Sequence, residues 1–122
     1  MDNETNSLLV MQRLFERVLI VMDKEKPYLD PTLTLGKLVR HVGTNRTLLS
    51  TTLNSLSKMN FNHWIATYRV SHLLEAIRND PDKSFDELYP QSGFASRTSF
   101  FRQFRQVTGQ TPGEYIKKKS EE

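Results

Sequence analysis

The stretch Gly93-Phe94-Ala95-Ser96-Arg97-Thr98-Ser99-Phe100-Phe101-Arg102-Gln103-Phe104-Arg105-Gln106-Val107-Thr108-Gly109-Gln110-Thr111-Pro112-Gly113-Glu114-Tyr115 decides the fold. Gly93 marks a turn. Ser96 offers a side-chain oxygen to the unpaired N–H groups that open a helix. Phe100, Phe104 and Val107 then recur at the spacing of a helix's inward face. Gly109 ends that helix, because glycine takes a left-handed backbone without a Cβ clash. Thr111-Pro112-Gly113-Glu114 is a capping box with proline at the first helical position, where its missing N–H costs nothing. A last short helix carries Tyr115 and Ile116, and Lys117-Lys118-Lys119 suits its negative end.

The same order occurs upstream. Thr34 caps a short helix bearing Leu35, Leu38, Val39 and Val42, and Gly43 ends it. Asn45 caps a second helix running from Arg46 to about Ser57, with Leu49, Leu53 and Leu56 inward. A short amphipathic helix, a tight glycine turn and a second amphipathic helix outline a helix-turn-helix. A shift of 51 residues lays Asn45 on Ser96, Arg46 on Arg97, Thr47 on Thr98, Leu49 on Phe100, Leu53 on Phe104, Trp64 on Tyr115 and Ile65 on Ile116. Gly43 and Gly93 are 50 apart, so the second turn carries one extra residue. Matched caps, glycines and aromatics in one order point to an internal repeat.

Between the two units, Phe61, Trp64, Ile65, Tyr68, Leu73, Leu74 and Ile77 predict a linking helix of roughly 17 residues, about 25 Å long. Asn79-Asp80-Pro81-Asp82 breaks it. Ser84-Phe85-Asp86-Glu87 is another capping box, opening a helix with Phe85 and Leu88 that Pro90 shortens or distorts. Ahead of both units, residues 7–23 read as a helix: Leu8, Met11, Phe15, Val18, Leu19 and Met22 keep helical spacing. Leu9, Val10, Leu14, Ile20 and Val21 widen the stripe until it asks for burial on two sides. Pro27 and Pro31 follow in an extended connector. The expected class is all-α, two helix-turn-helix modules joined by a long linking helix, with an additional N-terminal helix. The expected division is 1–27 for the N-terminal helix and connector, 28–79 and 80–119 for the two modules, and 120–122 for a tail.

The 122 residues hold no Cys, which excludes disulfides, thiolate metal sites and thiol catalysis. No apolar run approaches the ~20 residues of a membrane span, and no signal peptide is legible. A cytoplasmic location is therefore expected. His41, His63 and His72 form no i,i+4 ligand pair, and there is no phosphate-cradling glycine loop or nucleophile motif. An enzyme is accordingly not expected, and neither is a cofactor or a metal. His63 reads as a helix-start residue and His72 as a helix-surface residue.

The net charge is +3, but its distribution says more. No Asp or Glu lies between Asp30 and Glu75, where Lys37, Arg40, Arg46, Lys58 and Arg69 lie. None lies between Glu87 and Glu114, where Arg97, Arg102 and Arg105 lie. Solvated helical surfaces normally mix both signs, so two acid-free stretches suggest two surfaces that face a polyanion. Fixing the inward residues fixes the outward ones. In the first unit Arg46, Thr47, Ser50, Thr51 and Asn54 project outward. In the second, Arg97, Thr98, Phe101, Arg102 and Arg105 do. A duplex major groove admits one such helix, where Arg pairs with guanine, Asn with adenine, and Thr or an aromatic touches the thymine methyl.

The motif Gly93-Phe94, Ser96 to Arg105, Thr108-Gly109 and Thr111 to Tyr115 resembles the DNA-binding domain of AraC/XylS-type transcription regulators. Leu49-Ser50 and Tyr68-Arg69 match as well, and the resemblance covers residues 28–119. It implies about seven helices, two helix-turn-helix modules and a rigid linking helix. It implies sequence-specific binding of double-stranded DNA, with modules in successive major-groove faces about 34 Å apart. Base reading falls to Arg46, Thr47, Ser50, Thr51, Arg97, Thr98, Phe101 and Arg102, and phosphate contacts to Arg105 and Asn54. Thr51 stands where the family often has Arg, Lys58 where a glycine usually ends the helix, and Tyr89-Pro90 where a small residue and a helix former are usual. Candidate further partners are RNA polymerase, and a sensing domain or second copy engaged through the 7–23 helix. The competing reading is a helical protein–protein interaction module without base readout, carried by that same apolar helix.

Overall fold

The computed structural model describes residues 3–121, with side chains from residue 6 onward. Five N-caps read from the sequence each accept from the amide three residues ahead. Thr34 accepts from Lys37 N (3.2 Å), Asn45 from Leu48 N (2.9 Å), Ser84 from Glu87 N (3.2 Å), Ser96 from Ser99 N (3.1 Å) and Thr111 from Glu114 N (3.1 Å). They open helices α2 (Leu35–Val42), α3 (Arg46–Ser57), α5 (Phe85–Leu88), α6 (Arg97–Thr108) and α7 (Pro112–Ser120). The other two are α1 (Asn3–Lys24) and the long α4 (Phe61–Asn79). Among the described residues there is no strand, and the fold is all-α with two helix-turn-helix modules. No helix among them is long and apolar enough to cross a membrane. Pro90 acts as expected: α5 stops after four residues and the chain continues as a 3₁₀ turn, Tyr89–Ser92.

Packing groups the chain into two compact units. The first comprises the chain up to Pro27 together with Thr32–Trp64; the second comprises Tyr28–Pro31 together with the chain from Ile65 onward. The sequence division after residue 79 follows a break in the chain, whereas the units follow side-chain burial. Thus α4 sends Val70 and Leu73 into the second unit's core. Residues 1 and 2 of the N-terminal segment and residue 122 of the tail lie outside the described residues.

In the first unit α1 packs on α2 and α3. Leu14, Val18 and Met22, spaced i, i+4, i+8, are at most 2% exposed and face a core that includes Leu38, Val42, Leu49 and Leu53. The expectation of two-sided burial for this helix is corrected. Leu8, Leu9, Val10, Leu19 and Ile20 are 42–54% exposed, because α2 and α3 cover one face only. The helix also starts at Asn3, since the polar residues ahead of Leu8 contain no breaker. Arg17 fastens α1 to the turn of the module: one terminal nitrogen donates to the carbonyls of Val42 (2.8 Å) and Gly43 (2.9 Å).

The second unit is built on aromatic rings. Phe100 and Phe104 are fully buried with Val70, Leu73, Phe85, Leu88 and Phe94. Phe100 stacks on Tyr89 (centroids 5.1 Å apart) and meets Phe94 at 5.2 Å and Phe104 at 5.7 Å. Burying each such ring contributes about 1.5–3 kcal/mol, which a module with few residues needs. Arg69 is buried here, donating from Nε to the carbonyl of Tyr28 (2.8 Å) and from Nη2 to that of Asp30 (2.9 Å).

The 51-residue register extends further than the sequence pattern indicated. Ser57 and Thr108 each donate to the carbonyl four residues back and accept from the amide two residues on. Lys58 and Gly109 are both left-handed C-caps. Asn60 caps α4, accepting from His63 N at 2.8 Å, as Thr111 caps α7. The correspondence then fades: Ile65 is 2% exposed and its counterpart Ile116 is 50% exposed.

Candidate nucleic-acid interface

In each unit the second helix of the module is amphipathic in the way a groove-binding helix requires. On α3, Leu49 and Leu53 are fully buried, while Arg46, Thr47, Thr51 and Asn54 are exposed and Ser50 is half-buried. On α6, Phe100 and Phe104 are fully buried, while Arg97, Thr98, Arg102 and Arg105 are exposed and Phe101 is half-buried. Neither helix contains an acidic residue. Asn45 and Ser96 each satisfy one opening N–H, and the positive end of each helix adds to the arginines' field.

The side chains differ in how they are held. Arg102 and Arg105 make no ion pair with any described residue. Arg46 lies over the backbone of Gly36: a Cβ there would be 2.7 Å from its terminal nitrogen. Asn54 donates its amide to the carbonyl of Ser50 on its own helix at 2.9 Å. Phe101 projects outward only in part, since its ring packs on the core cluster and meets Phe100 edge-on at 5.4 Å. Thr47 and Thr51 line a groove of about 570 Å³ that also includes Val10, Met11, Asn45 and Leu48, so α1 borders the first candidate reading face.

Three expectations from the sequence are corrected. Arg69, counted among the bases of an acid-free surface, is buried, and burial pushes its guanidinium below its ordinary range against the opposing pull of Asp30. The second acid-free surface is not free of acid in space. Asp86, eleven residues before Arg97, bonds its Nε at 2.9 Å and holds its pKa above the ordinary value. Third, His72 is only partly at the helix surface: it is half-buried, with its ring hydrogen-bonded to Ser92 Oγ at 2.8 Å. His41 pairs with Glu25 at 3.1 Å. Among the described residues no cluster of three or more His, Asp or Glu could hold a metal ion. Sequence reasoning missed Arg17 and Asp86; for Asp86 its place in a capping box hid a second role.

The sequence profile of the helix-turn-helix domain family matches residues 38–118. The chain belongs to this family. Its AraC/XylS-type character, read from Gly93 to Tyr115, is borne out. The helix-turn-helix chain is 29% identical over 100 residues to an uncharacterized HTH-type transcriptional regulator of Staphylococcus aureus strain COL, spanning 82% of this chain and 13% of that protein. It is 26% identical over 88 residues to the melibiose operon regulatory protein of Escherichia coli K12, spanning 72% of this chain and 29% of that protein. It thus corresponds to a small part of the length of these relatives. In fold it is similar to a protein of unknown function from Listeria innocua, with TM-score 0.70, 22% identity, and 84% of this chain and 94% of that one covered. It is likewise similar in fold to the C-terminal domain of the response regulator AraT from Geobacillus stearothermophilus. There the TM-score is 0.69 and the identity 15%, with 86% of this chain and 84% of that one covered.

Proposed function

We propose that this helix-turn-helix chain is the sequence-specific double-stranded-DNA-binding part of a transcription regulator and that it catalyses no reaction. In this reading α3 and α6 enter adjacent major-groove segments. Arg46, Thr47, Ser50 and Thr51 read bases from the first module, and Arg97, Thr98, Phe101 and Arg102 from the second. Arg105 and Asn54 hold phosphates. The observation that carries the reading is the paired design of α3 and α6, each with an inward face closed by fully buried residues and an outward face that carries arginine and no acid of its own. The bacterial relatives named as regulators support it, and DNA in such cells lies in the cytoplasm, where we place this chain's action. Selection of bound duplexes from a random pool tests the reading. Enrichment of two half-motifs is the expected result, and a pool that stays random overturns it.

A second reading concerns α1. Its exposed Leu8, Leu9, Val10, Leu19 and Ile20 form more uncovered apolar surface than a solvated helix needs. They favour a protein contact through this helix, with a sensing domain or a second copy as candidate partners; RNA polymerase is a further candidate partner of the chain, with no surface assigned to it. Light scattering over a concentration series tests the second copy: a mass that stays monomeric at high concentration removes it.

A further inference from the structure

The geometry points to Asp86 as a residue that sets base specificity without touching DNA, by holding Arg97 so that its outer edge faces a guanine. This rests on the DNA-reading function proposed above and names a positioning residue within it. An exposed arginine on a helix surface has many rotamers, and fixing it against a base costs conformational entropy. Arg97 is already restrained on two sides. Asp86 Oδ1 takes the hydrogen of Nε at 2.9 Å. The ring of Phe101 lies beneath the guanidinium, with Cζ 4.5 Å from the ring centroid. One contact fixes the inner edge of the fork and the other fixes its plane.

What remains is the pair of terminal nitrogens, which bond to no described residue, on a side chain that is 63% exposed. Guanine presents O6 and N7 side by side in the major groove, and two parallel N–H groups from one arginine satisfy both. An acid that bonded the terminal nitrogens would block this contact; one that bonds Nε leaves it open. Arg97 is the first residue of α6, the end from which a recognition helix reaches base edges. The carboxylate has a second consequence. It offsets part of the arginine's charge and repels phosphates, so it weakens sequence-independent attraction while the oriented fork keeps the specific contact.

The experiment measures affinities of the intact chain for the selected duplex and for duplexes with each base pair substituted. Arg97→Ala first identifies the position whose guanine preference depends on Arg97. At that position Asp86→Ala is expected to cut the preference about tenfold, within the range of one bidentate contact. Asp86→Asn, which keeps an oxygen acceptor without the charge, should fall between it and the wild type. In the Arg97→Ala background, Asp86→Ala should leave base preferences unchanged. Asp86 is exposed at the second position of α5, so circular dichroism is expected to show all variants folded, with Asp86→Asn the milder change should Asp86→Ala unfold. An unchanged guanine preference in both Asp86 variants overturns the inference. So does equal tightening on every duplex, which would make Asp86 a mask, or an Arg97→Ala chain with unaltered preferences. A wild-type chain that enriches no duplex instead overturns the DNA-reading function itself, and is told apart by that first measurement.

Discussion

Arg17 on the N-terminal helix donates to the carbonyls of both Val42 and Gly43, at 2.8 and 2.9 Å. These carbonyls close the C-terminal end of α2, where unpaired oxygens and the helix dipole favour a cation. The N-terminal helix therefore completes the turn of the first helix-turn-helix rather than merely covering it. Arg17→Met keeps the aliphatic stem and removes both bonds. It is expected to lower unfolding free energy by about 1–2 kcal/mol, discounted for partial exposure. Urea unfolding measures this, and a midpoint unmoved by the substitution would mean that water replaces the guanidinium without loss.

Lys58 ends α3 with φ +61°, where its counterpart Gly109 ends α6 with φ +78°. A side chain in this region clashes with its own backbone, at a cost of about 1–2 kcal/mol that glycine avoids; glycine in turn loses more chain entropy on folding. Lys58→Gly is expected to gain about 0.5–1 kcal/mol net, and Lys58→Ala to gain nothing, because alanine keeps the clash. Thermal unfolding of the pair separates the backbone effect from loss of the lysine's charge.

How much was legible follows the distance over which each feature is encoded. The N-caps at Thr34, Asn45, Ser84, Ser96 and Thr111 involve residues three apart, and the buried Leu49, Leu53, Phe100 and Phe104 follow from helical periodicity; both classes of signal sit within one turn or two of chain. The contacts that shape the candidate site join residues much further apart. Arg17 reaches 25 residues to Val42, Arg69 reaches 41 back to Tyr28, and Asp86 reaches 11 to Arg97. A gap between acids along the chain does not map onto a gap on the surface once helices pack. Phe101 shows a second limit: helical phase places it outward, but a ring is wide enough to lean back onto the core.

Arg102 and Arg105 lie three residues apart on the exposed face of α6, and neither has a carboxylate partner among the described residues. Their proposed roles separate by measurement. Arg102→Ala is expected to cost about 1–3 kcal/mol on the selected duplex and little on a scrambled one, as loss of a base contact does. Arg105→Ala should weaken both duplexes alike and reduce the salt dependence of binding by about 0.9 in log–log slope, as loss of one phosphate contact does. Titrations at several salt concentrations give both numbers. Equal losses on both duplexes for Arg102 would move it to the phosphate set.

Thr52 sits inside α3 with no exposed surface, and its hydroxyl oxygen has no hydrogen-bond partner among the described residues. Burying an unpaired hydroxyl costs about 1–3 kcal/mol, and valine replaces it with a methyl of nearly the same shape. Thr52→Val is expected to raise stability by about 1 kcal/mol while leaving duplex affinity unchanged, since the side chain faces away from the candidate reading surface. A lower melting temperature would indicate that the hydroxyl is satisfied in solution.

Three glycines of the second unit differ in what a Cβ would meet, and their alanine variants should rank accordingly. Gly113 has open space around it and sits in the first turn of α7, so Gly113→Ala should stabilise slightly, by about 0.5–1 kcal/mol, through helix propensity. Gly109 also has open space but holds φ +78°, so Gly109→Ala should cost about 1 kcal/mol from backbone strain alone. Gly93 combines φ +90° with a Cβ position 2.1 Å from the carbonyl oxygen of Tyr28 and 2.9 Å from Arg69 Nε. Backbone cannot yield there as a side-chain tip could. Moving Tyr28 breaks one of the two backbone hydrogen bonds that hold the buried guanidinium of Arg69, and losing a hydrogen bond to a charged group costs about 1.5–3 kcal/mol. Gly93→Ala is therefore expected to cost the most of the three, about 3–5 kcal/mol from strain and the lost bond together, a large share of the roughly 5–15 kcal/mol that stabilises a small domain. Chemical unfolding of the three variants side by side tests the ranking. A Gly93→Ala chain no less stable than Gly109→Ala would mean that the connector carrying Tyr28 can leave its seat against Arg69 at little cost.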